Sequence, residues 1–101
     1  MAMIYQVIYQ FQNKVDADTW IKFYDLMKEI GDDWFHVLEN VCWIYFKDDV
    51  KPDYILNKIM EIIDGKDIMF LITQIDGEAN GWIAKSAWKW REKYIGLTTA
   101  T

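Results

Sequence analysis

Of cysteine, histidine, proline and arginine the 101 residues contain one each. Cys42 has no partner for an internal disulfide, and with His36 alone beside it the chain lacks the side-chain cluster of a structural zinc site. No metal and no cofactor is expected. No apolar run approaches the ~18 residues that cross a bilayer, and no basic stretch followed by a long apolar region and a small-residue cleavage site opens the chain. The expectation is a cytoplasmic protein with no membrane partner. Positive charge is scarce as well: 11 Lys+Arg against 16 Asp+Glu leave −5, without the broad positive field that attracts duplex DNA. A Gly-rich phosphate loop, a Ser-His-Asp order, a Cys-His pair and an HExxH run are all missing, which leaves hydrolase and kinase readings without a motif.

What is present is apolar and aromatic. Hydrophobic residues make 52% and charged residues 27% of a length suited to one domain, read as 1–96 with a polar tail at 97–101. Six Trp, six Tyr and five Phe exceed the needs of so small a core, so aromatic surface is expected to be exposed or shared with a partner. The charge is uneven. Residues 1–81 hold 7 Lys against 15 acids, whereas residues 82–101 hold Lys85, Lys89, Arg91 and Lys93 against Glu92.

Alternation in MIYQVIYQF (3–11) predicts a strand, with Tyr5, Val7, Tyr9 and Phe11 on one face and Ile4, Gln6, Ile8 and Gln10 on the other. Trp20, Phe23, Tyr24, Met27 and Ile30 recur at helical spacing over 18–30, capped by Asp16 or Asp18 and stopped at Gly31, with Asp32-Asp33 as a solvated turn. A hairpin follows over 34–47, turning at Glu39-Asn40. A second helix covers 52–63, with Pro52 in its first turn and with capping or helix-dipole roles for Asp48, Asp49 and Asp53. IMFLITQI (68–75) predicts a strand buried on both faces, and WIAKSAWKWREKY a last helix. This order is the split pattern of an α+β ferredoxin-like sandwich: a four-stranded antiparallel sheet with two helices on one face and a C-terminal helix. The opposite sheet face then needs cover from that terminal helix, a ligand or a second subunit, and a homodimer or higher homo-oligomer is the simplest answer.

The spaced motif Gly31, Trp34, His36, Leu38, Glu39, Trp43, then Asp64, Asp67, FLITQI and Gly81-Trp82 resembles the small SinR-like proteins related to the CRISPR-associated Cas-two nucleases and VapD-type toxins. The resemblance implies a ferredoxin-like fold, dimers joined through their sheets, and a bacterial or phage-infected bacterial cell. Its nuclease members carry an Asp at the end of the first strand, where two copies share a metal that activates water. Here that stretch reads IYQF, and the neutral Gln10 is a poor ligand for a divalent cation, which argues against nuclease activity. Asp16 and Asp18 lie nearby, with helix capping as their plainer role.

Ligand-binding candidates are Arg91, Lys85, Lys89, Trp82, Trp88, Trp34 and His36, with no catalytic residue assigned. In the last helix rings alternate with cations, suiting a base and its phosphate, although Trp88 and Trp90 point about 200° apart and one must pack inside. The only arginine, Arg91, is expected at the surface, where a guanidinium offers paired donors to phosphate. Trp34, His36 and Leu38 share one strand face, wide enough for a base. These features favour a non-catalytic protein that holds a small nucleotide-type ligand, such as a phage anti-defence sponge for a cyclic nucleotide or ADP-ribose-type immune signal. The alternatives are an acidic protein-interaction or inhibitor module, and a metal-dependent ribonuclease or phosphodiesterase of the Cas-two or VapD type.

Overall fold

The computed structural model describes residues 2–12, 14–65, 67–76 and 79–95, and the tail at 97–101 lies outside them. Strand β1 (Met3–Phe11) follows from its alternation: Tyr5, Val7 and Tyr9 are buried against one set of helices, while Ile4 and Gln6 face the other way. Helix α1 (Ala17–Glu29) starts where Asp16 accepts a 2.8 Å hydrogen bond from the Thr19 N–H, and it buries Phe23 and Met27. The chain then enters the hairpin β2 (Asp33–Leu38) and β3 (Val41–Phe46), turning at the expected Glu39-Asn40. Helix α2 (Pro52–Met60) has Pro52 in its first turn and is shorter than 52–63, although Ile63 still reaches the core. Its N-cap is Lys51, without a side-chain cap bond, and Asp53 stands in the first turn, where a carboxylate suits the helix dipole. Strand β4 (Ile68–Ile75) matches the expected bounds. Helix α3 (Lys85–Ile95) begins three residues later than the apolar pattern suggested, leaving Trp82–Ala84 non-helical.

The four strands form one antiparallel sheet in the order β2-β3-β1-β4. In the centre Tyr5 lies opposite Ile44 and Val7 opposite Cys42 and Ile72. One face carries the main core, where Tyr5, Val7, Tyr9, Cys42 and Ile44 meet Phe23 and Met27 of α1 and Ile55 and Ile59 of α2. The other face holds a smaller cluster built on Ile4, Trp43 and Ala87, joined by Phe35, Tyr45, Trp90 and Tyr94. Helix α3 thus covers part of that second face. It does not cover all of it: Met69 and Leu71 are each 58% exposed and Ile8 39%, so β4 is not buried on both faces. The continuous apolar run misled because β4 ends the sheet: α2 packs against it on one face, while on the other its Ile75 end joins the cluster around Ala87 and Met69 and Leu71 stay exposed.

Candidate functional site

The sheet separates the predicted ligand residues into two groups. Trp34 and His36 lie on the α1 side, where Trp34 packs against the main core. Arg91, Lys85, Lys89, Trp82 and Trp88 belong to α3 and the segment before it, on the other side. They do not form one site.

On the α3 side, helical geometry decides which residues turn inward. Ala87 and Arg91, four apart, are buried, and so are large parts of Trp90 and Tyr94, while Lys85, Lys89 and Lys93 face solvent. Trp90 is therefore the packing member of the Trp88/Trp90 pair: its ring lies 6.1 Å from that of Trp43, and Trp88 is half-buried beside Gly81. Arg91 is 2% exposed, which overturns the expectation of a surface contact. The sequence pattern misplaced it because an arginine among lysines reads as solvated, yet its position four residues after Ala87 turns it toward the sheet. Arg91 lines a cavity of about 230 Å³ with Gln6, Trp43, Gln74, Asp76 and Ala79. Gln6 is held by a 2.9 Å hydrogen bond from Trp43 Nε1–H to its Oε1, which commits the amide oxygen and leaves the NH₂ as its second function. Arg91 is engaged within the chain. Trp82, three residues beyond Ala79, is 100% exposed.

Asp33 fastens α3 to this face. Its carboxylate accepts from the Trp34 N–H (2.8 Å), from Trp90 Nε1–H (3.2 Å) and from the Tyr94 hydroxyl. Burial alone would raise its pKa, but these hydrogen bonds outweigh it and hold Asp33 below the usual carboxylate value. The same bond, with burial, pushes Tyr94 up to about 12. Asp32 also has a fixed role, accepting from the Lys47 N–H at 2.7 Å. Asp33 thus departs from the expected solvated turn, whereas Asp32 lies exposed in the bend before β2.

On the α1 side the buried Tyr9 hydroxyl is a hub. It donates to the Glu39 carbonyl (3.0 Å) and lies 3.2 Å from the Tyr24 hydroxyl and 3.3 Å from His36 Nε2. His36 Nε2 is itself 3.1 Å from the Glu39 carbonyl, which accepts from the tautomer that carries its proton on Nε2. Burial foremost, then the bond to Tyr24, raises the Tyr9 pKa. Trp34 stacks on His36 at 6.2 Å and 22°, and Lys28 lies 5.8 Å over Trp34. The hub ties the hairpin turn to β1 and α1, and the His36 partner is the Glu39 backbone rather than its carboxylate.

Gln10 sits exposed in an open groove of about 340 Å³ with Ile8, Asn40, Met69 and Leu71, and among the described residues no carboxylate lines it. Among the described residues no group of three His, Cys, Asp or Glu side chains is placed to hold a metal ion, and no helix is long and apolar enough to cross a membrane. Pattern analysis missed Gln6, Gln74 and Asp76; the signal available was polar side chains inside, or at the end of, otherwise apolar strands. Compared with protein-family models, curated proteins and solved structures, the chain matches none, and the resemblance to SinR-like proteins rests on its sequence motif alone.

Proposed function

We propose that this chain is a non-catalytic binding protein for a small nucleotide-type ligand, a ferredoxin-like sandwich that works as a homo-oligomer. The observation that carries this reading is the only arginine, turned inward to the wall of a cavity it shares with two glutamine amides, a carboxylate and an indole. A guanidinium meets phosphate oxygens with paired donors, amides meet the edge of a base, and a carboxylate accepts from sugar hydroxyls. The strand order β2-β3-β1-β4 supports the sandwich assignment.

The cavity volume limits the ligand. About 230 Å³ lies below the ~300–1,000 Å³ usual for drug-sized molecules, so one chain encloses a single nucleotide moiety. A cyclic dinucleotide or an ADP-ribose-type signal, as a phage sponge would capture, extends beyond the cavity toward Trp82 or across a subunit boundary. The test is a thermal-shift and tryptophan-fluorescence panel of linear and cyclic nucleotides, with EDTA or Mg²⁺, followed by chromatography of each nucleotide. A metal-independent rise in Tm with the nucleotide intact is expected, because a binder stabilises the fold by mass action. Replacing the exposed Gln74 (Gln74→Leu) should weaken binding roughly tenfold with Tm of the free protein little changed. A nucleotide consumed only with Mg²⁺ would instead make the protein an enzyme.

The complete exposure of Trp82 favours a second reading, a protein-interaction or inhibitor module. It predicts no response to any nucleotide and a salt-sensitive complex with a basic protein.

A further inference from the structure

The segment between β4 and α3 brings together two groups that react with each other. Of the four asparagines in the chain, Asn80 alone is followed by glycine. Both residues are exposed and lie outside helix and strand. The Gly81 N–H donates to Oδ1 of Asn80 at 2.8 Å, so the carboxamide is folded back against the peptide nitrogen that follows it. Space around that nitrogen is open: among the described residues, a Cβ at Gly81 would meet only Trp88 Cζ2, at an ordinary 4.0 Å.

The other asparagines show what such a pair needs. Asn57 is inside α2, where the helical backbone ladder holds the Lys58 N–H away from the preceding side chain. Asn40 precedes Val41, whose β-branched side chain crowds its own nitrogen, and the Asn40 carbonyl is tied to the Tyr9 N–H at 3.0 Å. Asn13 precedes Lys14 and lies outside the described residues. At Asn80 the carboxamide touches the next nitrogen, that nitrogen carries no neighbouring Cβ, and neither helix nor sheet restrains it.

We infer that Asn80-Gly81 is a site of covalent self-modification, at which the Asn80 carboxamide becomes a carboxylate next to the wall of the Arg91 cavity. The Gly81 nitrogen gives its proton to water and attacks Asn80 Cγ. The new N–C bond closes a succinimide ring, and the Cγ–NH₂ bond breaks as ammonia leaves with a proton. Water then opens the ring. Attack at Cγ yields aspartate, and attack at the main-chain carbonyl carbon yields isoaspartate, with the chain rerouted through the side chain. The sum is carboxamide plus water to carboxylate plus ammonium, with no oxidant or reductant. Because the reacting groups already touch, part of the entropic barrier to ring closure is removed. The product adds one negative charge to the −5 of the chain, at the neighbour of Ala79, which lines the cavity. A carboxylate there opposes an anionic ligand, a consequence that rests on the nucleotide reading.

The experiment ages the full chain in neutral buffer at physiological temperature, folded and in urea, and follows the intact mass and the tryptic peptide 67–85. The folded chain should gain the mass difference between OH and NH₂ at Asn80, with isoaspartate beside aspartate. Gly81→Ala, for which there is room, should keep the wild-type Tm and slow the conversion roughly tenfold, because its methyl stands beside the attacking nitrogen. A folded chain unchanged when half of the urea sample has converted, or conversion at a different residue, would overturn the proposal. Carboxylate without isoaspartate would overturn the succinimide route. Asn80→Asp supplies the aspartyl product directly and should weaken binding of adenosine monophosphate roughly twofold at low salt. Equal affinity would overturn the coupling to the cavity alone. Binding by neither form would overturn the nucleotide reading and the coupling with it, while the mass of the aged chain still decides the modification.

Discussion

Gly31 stands where the chain leaves α1 for the sheet, and its requirement is space. The Asp32 N–H donates to the Tyr45 carbonyl at 2.8 Å, which draws this turn against β3. A Cβ on Gly31 would meet Ile44 Cγ2 at 2.5 Å and the Tyr45 carbonyl oxygen at 2.7 Å. The second is backbone inside the sheet and cannot yield without breaking that bond. Gly31→Ala should therefore cost about 1–3 kcal/mol as an overpacked site, and Tm should fall roughly 4–8 °C per kcal/mol; calorimetry showing an unchanged Tm would refute the steric account. Cys42 makes a different kind of residue-scale prediction. Its thiol is fully buried, and desolvation pushes its pKa up to about 11 despite the nearby Tyr9 hydroxyl. It should ignore a disulfide reagent such as DTNB in the native protein at pH 8 and react fully in denaturant. Equal rates in both conditions would place the thiol at the surface.

At the scale of elements, the docking of α3 depends on one carboxylate. Asp33 has a depressed pKa, so its contribution is fully present above its unfolded value of 3.8 and is lost as pH falls through the lower folded value. Tyr94 has a raised pKa, so its contribution is present below 10 and is lost as pH rises through about 12. Tyr94→Phe should flatten the alkaline loss of stability and Asp33→Asn the acid loss, with Trp90 fluorescence reporting both. Profiles that match the wild type would show α3 to be held by packing alone. The sequence pattern revealed the elements where local chemistry decides them: the alternation of β1, the Asp16 cap of α1, the Glu39-Asn40 turn and Pro52 in α2. It failed where tertiary context decides. Ile62 and Ile63 look helical because they are apolar at the right spacing, but they reach the core from a turn. Eight nearly continuous apolar residues look like a strand buried on both faces, yet Met69 and Leu71 of β4 are exposed, because what covers each face is not written in the pattern of one strand.

For the whole molecule, the distribution of charge matters more than its total. The basic C-terminal segment divides into Lys85, Lys89 and Lys93 in solvent and Arg91 inside the second layer, against Ala87, Trp43 and the polar strand positions. A linear sequence cannot separate these roles until the helix is docked, since all four cations fall within nine residues. The layers were legible from periodicity; the site was legible only as a tendency of the last helix, and its Gln6, Gln74 and Asp76 walls come from strands distant in sequence. A charge reversal separates surface from interior. In Lys89→Glu an exposed ammonium becomes an exposed carboxylate, and stability should change by less than about 0.5 kcal/mol. In Arg91→Glu a carboxylate would be buried in a cavity that Asp76 already lines, while the groups that Arg91 engages lose their cation. Breaking a buried charged contact costs about 3–5 kcal/mol, a large share of the ~5–15 kcal/mol that holds a domain of this size together. Arg91→Glu should therefore shift the urea midpoint far below that of the wild type, whereas Lys89→Glu should not move it. Equal midpoints for the two variants would mean that α3 does not press Arg91 against the sheet, and the cavity beside it would lose its cationic wall.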